Sequence, residues 1–176
     1  MIAAVVLAAG EGSRFGGAKQ QLLLPDVLAA VRASSVEDLV VVAGAHAVDV
    51  DATVVTCPEW ERGMGASLRC GLQALRPETE AAVVALADGP DLAPGAVDRV
   101  IQVWRAGAGD VVAASYRGER GHPVLLGRAV WSQIPDEGAK ALGIEPALVP
   151  CDDLGFPGDV DYADQVPERL LRRTDG

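Results

Sequence analysis

Basic residues, cysteines and long apolar runs are scarce in this sequence, and each shortage excludes a class of protein. Fifteen lysines and arginines stand against 25 aspartates and glutamates, so the formal net charge is −10. A chain this acidic lacks the basic face through which proteins bind nucleic acids or anionic membranes. Cys57, Cys70 and Cys151 are odd in number and form no Cys-x-x-Cys pair. They predict reduced thiols in a cytoplasmic protein rather than a disulfide framework or a zinc site.

The apolar run at residues 2–9 has no basic segment before it and is far too short to cross a bilayer. We therefore expect neither a secretory signal peptide nor a membrane helix. The sequence also lacks a linker rich in serine and glycine, a repeat, and the Gly-x-Ser-x-Gly motif of acyl-transfer enzymes. The length of 176 residues and the hydrophobic content of 49 % predict one domain, residues 1–176. Such a domain buries roughly 70 % of the surface of its unfolded chain.

Short apolar runs alternate with segments of helical spacing along the chain. The runs predict buried strands at 1–7, 39–43 and 81–87, and shorter strands at 110–114 and 123–126. Between them, apolar side chains recur at the three- and four-residue intervals of amphipathic helices. This alternation predicts an α/β fold of three layers, in which helices cover both faces of a mostly parallel sheet. Ligands of such sheets bind at the carboxyl ends of the strands.

The segment 7–19 follows the first predicted strand and contains four glycines together with Arg14 and Lys19. Small residues allow main-chain N–H groups to approach an anion, and the two cations add donors suited to a polyphosphate. The segment is not a Walker A loop, because Gln20 follows Lys19. It is not the dinucleotide fingerprint either, because Phe15 replaces the third glycine. From the residues alone, it is either a phosphate-binding loop or a glycine-rich surface turn with two solvated cations.

Two acidic positions are candidates for binding a metal ion. Asp88 directly follows the strand predicted at 81–87, and Asp161 belongs to an Asp-Val-Asp sequence further along the chain. Mg²⁺ takes one or two carboxylates together with substrate phosphates, so these two aspartates would suffice. The alternatives are a turn-capping role for Asp88 and a helix-capping role for Asp161. Asp91 is expected to be a solvated turn residue.

Ser67 and His122 are candidates for contacts with substrate. Ser67 lies in a glycine-rich entry to a predicted helix, where main-chain N–H groups are available to a phosphate or a base edge. His122, in the sequence Gly-His-Pro, is one of two histidines and could donate a hydrogen bond to an acceptor phosphate. Ser67 could equally serve its own helix, and His122 could pack at the start of a strand. His46 has no partner in the sequence and is expected to be inert.

The segment 7–19 resembles the loop Leu-Ala-Ala-Gly-x-Gly-x-Arg-x-Gly-x-x-Lys of nucleotidyltransferases that act on phosphorylated acceptors. With Asp88, the Asp-Val-Asp sequence and the Gly-His-Pro segment, the chain resembles the MobA-like NTP transferase family, and most of all its molybdenum cofactor cytidylyltransferases. The resemblance implies a Rossmann-like nucleotide-diphospho-sugar transferase fold. It also implies a Mg²⁺-dependent transfer of CMP from CTP to a phosphorylated acceptor such as the molybdopterin cofactor, with release of pyrophosphate.

The resemblance assigns a role to each candidate residue. It implies a nucleotide site at Leu7, Ala8, Ala9, Gly10, Gly12, Arg14, Lys19 and Ser67. Among these, Arg14 and Lys19 would also act in catalysis, by stabilising charge on the departing pyrophosphate. Asp88 and Asp161 would hold Mg²⁺, and His122 would contact the acceptor.

The sequence departs from the family pattern at two places. Cys57 stands where the family has asparagine, and the segment after Lys19 is shorter than in the family. Two alternatives therefore stay open. One is a nucleotidyltransferase for a sugar phosphate or another phosphorylated acceptor. The other is a weakened nucleotide- or cofactor-binding protein that serves a molybdoenzyme.

Overall fold

The computed structural model describes residues 1–11, 19–158 and 165–172, with the backbone alone at Lys19 and Gln20. The strands in these ranges are β1 (Ile2–Ala8), β2 (Asp38–Ala43), β3 (Thr53–Thr56), β4 (Ala81–Leu86), β5 (Val111–Tyr116), β6 (Glu119–Gly127) and β7 (Ala147–Pro150). The α-helices are α1 (Lys19–Arg32), α2 (Met64–Gln73), α3 (Pro94–Arg105) and α4 (Glu168–Leu171). Among the described residues, no helix combines the length and the apolar character needed to cross a bilayer.

The seven strands form one sheet in the order β3-β2-β1-β4-β6-β5-β7. β6 runs antiparallel to both of its neighbours, β4 and β5, and the other neighbouring pairs are parallel. β1 lies between β2 and β4, and each of its seven residues is buried. A strand that is covered on both faces has no place for a solvated side chain, which explains its continuous apolar sequence.

Hydrophobic cores cover both faces of the sheet. Side chains of β1 alternate between them, with Ile2 and Val6 in the core that contains α1 and α3. Val5 and Leu7 point to the other face, into the core that contains α2 and the 3₁₀ segment Arg128–Gln133. The structure therefore confirms the three-layer α/β fold with a mostly parallel sheet.

Helix α1 runs without interruption through 14 residues although Pro25 lies inside it. A proline in a helix interior removes one hydrogen-bond donor and costs about 3 kcal/mol. Leu24, Val27 and Val31 are completely buried beneath the helix. Burying each of these side chains stabilises the fold by about 1.5–3 kcal/mol, which offsets the cost of the proline. The segment after Lys19, expected to be shortened, is thus a helix from its first residue.

The apolar pattern predicts five strands, and all five are present with shifted ends. It does not predict β3 or β7, which have four residues each. Both lie at an edge of the sheet, and most of their residues are partly or fully exposed. An edge strand needs no continuous apolar run, so the sequence carries little signal for it.

A disulfide joins Cys57 to Cys70, which corrects the expectation of three reduced thiols. Cys57 follows β3 and Cys70 lies on α2, so the contact depends on α2 packing back over β2 and β3. Their Cα atoms are 5.8 Å apart, within the normal range for a disulfide. A spacing of 13 residues conceals this proximity in the sequence. Cys151 is free and buried, and burial raises the pKa of its thiol.

Candidate active site

A pocket of about 130 Å³ opens where β4 ends and β6 begins. Asp88, Arg120 and His122 bring polar side chains to its wall, and Phe156 contributes an aromatic ring. The pocket lies at the carboxyl edge of the parallel strands, where ligands bind in open α/β sheets. Asp88 and His122, which the sequence indicates as separate candidates, therefore line one pocket.

The antiparallel pairing of β4 with β6 brings these residues together. Val84 pairs with Val124, and each step forward along β4 corresponds to one step back along β6. Continued beyond the last paired residues, this register leads Asp88 toward Arg120. The Nδ1 atom of His122 lies 3.4 Å from the main-chain oxygen of Val84, which holds the imidazole close to β4.

The beginning of the glycine-rich loop lies beside the same pocket, because β1 and β4 are neighbours. Ala87 is the residue before Asp88, and its N–H donates a hydrogen bond of 3.0 Å to the main-chain oxygen of Leu7. The predicted nucleotide contacts and the predicted metal ligand thus share one edge of the sheet. The predicted nucleotide contacts at this edge are Leu7, Ala8, Ala9 and Gly10.

Residues that follow β2 anchor the start of this loop. The N–H of Ala45 donates to the main-chain oxygen of Ala9 over 3.2 Å, and His46 Nε2 lies 2.7 Å from the main-chain oxygen of Glu11. Because a carbonyl oxygen only accepts, Nε2 of His46 must carry the proton. At Gly44, a Cβ atom would lie 2.7 Å from the main-chain oxygen of Ala9, so glycine is needed. His46 therefore has a structural partner that the sequence does not indicate, and its chemical inertness stays a prediction.

Several predicted residues lie outside the described part of the chain. Gly12, Arg14 and Asp161 are among them, and Lys19 begins α1 with a side chain that is not described. Their roles stay predictions. Ser67 is buried in α2 and does not line the pocket, and its hydroxyl makes no hydrogen bond to a described residue. Its contact with nucleotide also stays a prediction.

The chain on either side of the undescribed stretch that contains Asp161 lies against the turn that carries Asp88. Before this stretch, Pro157 accepts a hydrogen bond of 2.7 Å from the N–H of Asp91. After it, Arg169 of α4 pairs with the Asp91 carboxylate at 2.6 Å. Asp91 is thus an exposed turn residue, as the sequence indicates, and its carboxylate is also paired with Arg169. The described residues that precede and follow Asp161 in the sequence therefore contact the turn that carries Asp88.

The glycine-rich entry to α2 is occupied by main chain from the loop after β6. The N–H of Gly65 donates a hydrogen bond of 2.8 Å to the main-chain oxygen of Asp136. A Cβ atom at Gly65 would overlap the main-chain oxygen of Pro135. Gly63 has a φ of 132°, a conformation that favours glycine. These two glycines therefore have a packing role, whereas the sequence pattern indicates a possible ligand-binding role.

Asp136 also pairs with two arginines at this junction. Its carboxylate accepts hydrogen bonds from Arg69 and from Arg62, whose Nη2 lies 3.0 Å away. The hydrogen bond from Arg69 is the main cause that lowers the pKa of Asp136, and the bond from Arg62 adds to it. The loop after β6 is thereby tied to α2 through charge as well as through main chain.

Replacing Asp136 by asparagine is expected to lower the free energy of unfolding at pH 7 and to weaken its dependence on acid. Because the pKa of Asp136 is lower in the folded protein, its stabilisation is fully present above the unfolded value of about 4. That stabilisation is lost as the pH falls through the folded pKa. Urea unfolding between pH 7 and pH 3 measures both effects. The exposed control Asp49→Asn should have the same free energy of unfolding as the wild type at each pH. The prediction would be contradicted if the free energy of unfolding of Asp136→Asn depended on pH as that of the wild type does.

Arg120 lines the pocket, although the sequence did not indicate it as a candidate site residue. It is partly buried, and its guanidinium makes no hydrogen bond or ion pair with any residue in the described ranges. Burial lowers the pKa of Arg120, and the negative charge of Glu145 opposes this effect. The signal for it in the sequence is its place two residues before His122, because alternate residues of a strand share a face.

A mostly parallel sheet with a glycine-rich loop after β1, a carboxylate after β4 and a pocket at the same edge defines an α/β nucleotidyltransferase. The chain belongs to the MobA-like NTP transferase domain family, whose model matches residues 4–144. The family inferred from the segment 7–19 and from Asp88 is thereby confirmed, and with it the enzyme class. Among curated proteins, none matches the chain.

Solved structures of mycobacterial proteins share this fold over nearly their whole length. Rv0371c from Mycobacterium tuberculosis H37Rv is 31 % identical, with a TM-score of 0.74 over 97 % of this chain and 97 % of that chain. Its homologue from Mycobacterium sp. strain JC1 is 26 % identical, with a TM-score of 0.79 over 99 % and 97 %. A manganese complex of Rv0371c aligns at 25 % identity, with a TM-score of 0.67 over 98 % and 96 %.

The donor set of the pocket fits a divalent ion that is shared with a substrate. Within the described ranges, no three His, Cys, Asp or Glu side chains come together as a metal site. A caged ion such as structural zinc needs such a cluster, whereas Mg²⁺ takes one or two carboxylates and fills its shell with water and phosphate. Asp88 supplies one carboxylate at the pocket wall. Asp88 could therefore serve as one ligand of a divalent metal ion.

Proposed function

We propose that this protein transfers CMP from CTP to a phosphorylated acceptor such as the molybdopterin cofactor and releases pyrophosphate. The observation that carries the proposal is the pocket, which places a carboxylate, Asp88, with the donors Arg120 and His122 beside the start of the glycine-rich loop. Carboxylates bind the metal of an NTP, and cationic donors bind phosphate. The preference for CTP and for molybdopterin rests on the Gly-His-Pro segment and its resemblance to molybdenum cofactor cytidylyltransferases.

In the proposed reaction, an oxygen of the acceptor's terminal phosphate attacks the α-phosphorus of CTP in line. A bond forms between that oxygen and phosphorus while the bond from phosphorus to the bridging oxygen breaks, and pyrophosphate leaves with the electron pair. Arg14 and Lys19 stabilise the charge that develops on pyrophosphate. The main chain of 7–10, with Gly12 and Ser67, positions the nucleotide.

Asp88 and Asp161 are the proposed ligands of Mg²⁺, and His122 is the proposed contact to the acceptor. The ion, when bound, supplies positive charge that neutralises the reacting phosphates. The manganese complex of Rv0371c supports a divalent metal in a relative of this protein. The pairing of Asp88 with Asp161 is supported by the contacts of Asp91 with Pro157 and Arg169, the described residues on either side of Asp161 in the sequence.

A panel of the four NTPs tests this function. Each NTP is incubated with Mg²⁺ and molybdopterin, and pyrophosphate release is measured, with EDTA as the control for metal dependence. We expect release from CTP above the other three and none with EDTA. Release with a sugar phosphate in place of molybdopterin would support the first alternative. Tight nucleotide binding without pyrophosphate from any NTP would contradict the proposed reaction and support a binding protein that serves a molybdoenzyme.

We propose the cytoplasm as the place of this reaction, because NTP substrates are supplied there. The Cys57–Cys70 disulfide removes the argument from reduced thiols, so the proposal rests on the substrates alone. A molybdoenzyme is the proposed recipient of the product cofactor. The single sheet formed by strands from Ile2 to Pro150 supports one domain over residues 1–176.

A further inference from the structure

Arg120 differs from Arg169, which lies at the turn that follows Asp88, because its guanidinium makes no hydrogen bond or ion pair with a described residue. Arg169, on α4, is paired with Asp91 and Asp26, at 2.6 Å and 3.5 Å. The guanidinium of Arg120 makes no hydrogen bond or ion pair within the part of the chain that the structure describes, although Arg120 is partly buried and feels the negative charge of Glu145. A cation that is withdrawn from water without a hydrogen-bond partner costs free energy. Such a group is poised to gain a charge-assisted hydrogen bond from an anion.

Phe156 forms a second wall of the same pocket and is the exposed aromatic side chain there. Its side chain is 60 % exposed, although the whole sequence is only 4 % aromatic. Tyr116 braces the ring edge-to-face, with the two centroids 5.3 Å apart and an angle of 83° between the planes. The Tyr116 hydroxyl in turn donates a hydrogen bond of 2.9 Å to the main-chain oxygen of His122. The ring is therefore a supported apolar surface in the pocket that Arg120 also lines.

We propose that Arg120 and Phe156 form the acceptor subsite, which takes a phosphomonoester that carries a planar ring. The Arg120 guanidinium binds the acceptor phosphate beside Asp88, and the ring of the acceptor lies against Phe156. This inference deepens the proposed function and rests on it for the identity of the phosphate as the attacking group. Arg120 could bind a phosphate of the NTP instead of the acceptor phosphate. The KM measurements described below distinguish these two ligands.

Phenyl phosphate is a direct probe of this subsite, because it combines one phosphomonoester with one ring. Its Kd is measured by calorimetry or NMR titration for the wild type, Arg120→Ala, Arg120→Lys and the exposed control Arg105→Ala. We expect Arg120→Ala to weaken binding at least about tenfold, which is the effect of losing a charge-assisted hydrogen bond. The Kd of Arg120→Lys should lie between those of the wild type and Arg120→Ala, because lysine keeps the charge but lacks the two parallel N–H donors of a guanidinium. The Kd of Arg105→Ala should equal that of the wild type. Circular dichroism confirms that each variant is folded.

The kinetic arm measures the KM of the acceptor and of the NTP during pyrophosphate release. Arg120→Ala should raise the KM of the acceptor at least about tenfold and leave the KM of the NTP unchanged. A rise in the KM of the NTP alone would overturn the assignment to the acceptor. Phenyl phosphate binding that is absent in the wild type, or equal in Arg120→Ala, would overturn the subsite. Binding that depends on Arg120 without pyrophosphate from any NTP would support the subsite and contradict the proposed reaction.

Discussion

Asp88→Asn is expected to reduce pyrophosphate release at least about a hundredfold, which is the effect of removing one preorganised electrostatic group from a transition state. Asparagine has nearly the same size but no negative charge, so the pocket keeps its shape and loses the carboxylate that we propose as a metal ligand. The rate is measured with saturating NTP and acceptor, at several Mg²⁺ concentrations. Because the change weakens the metal site, additional Mg²⁺ should restore only part of the activity.

Asp49→Asn is the matched control for this experiment. Asp49 is exposed, and its contacts to Gln21 use its main-chain atoms rather than its carboxylate. The same chemical change at this position should leave both the rate and the thermal stability at wild-type values. A folded Asp88→Asn variant that retains wild-type activity would remove Asp88 from the proposed mechanism.

Gly65→Ala is expected to lower the free energy of unfolding by about 3 kcal/mol, the upper end of the range for overpacking. The new Cβ atom would overlap the main-chain oxygen of Pro135, and main chain gives way less readily than a flexible side chain. The change would also strain the hydrogen bond from the Gly65 N–H to Asp136. Urea unfolding at pH 7 measures the loss.

Gly95→Ala provides a matched control, because Gly95 is also the second residue of a helix. There, the Cβ atom would meet the Leu154 side chain at 3.3 Å, and the end of a leucine can move. Alanine favours a helix over glycine by up to about 1 kcal/mol, so this variant should be as stable as the wild type or slightly more stable. Equal stabilities of the two variants would show that the entry to α2 does not depend on a close approach of Pro135.

The strands and helices differ in how far the sequence predicts them. β1, β2 and β4 lie inside the sheet, so burial on both faces requires apolar residues throughout and leaves a clear signal. β3 and β7 lie at the edges and lack that signal. Helix α1 is hard to predict because the sequence shows a proline, Pro25, inside it. The burial of Leu24 and Val27 that offsets the cost of this proline depends on packing against the sheet, which the sequence does not show.

The candidate site was predictable in its parts and not in its assembly. Asp88 and His122 follow from local signals, namely a carboxylate after a buried strand and a Gly-His-Pro segment. Arg120 carries only a weak signal, its place two residues before His122, and it becomes notable because it lines the pocket with Asp88 and its guanidinium makes no described hydrogen bond or ion pair. The disulfide between Cys57 and Cys70 is a similar case, since neither its spacing nor the odd number of cysteines indicates it.

The sequence by itself determined the alternation of buried strands with helices, the glycine-rich loop after β1 and the scarcity of basic charge, because burial and periodicity are local properties. The tertiary structure decided which of the candidates meet. β6 runs antiparallel beside β4, so residues more than 30 positions apart line one pocket. The loop after β6 fills the glycine-rich entry to α2, so a segment that looked open to ligand is closed by main chain. Such contacts depend on the order and direction of strands, which no local pattern contains.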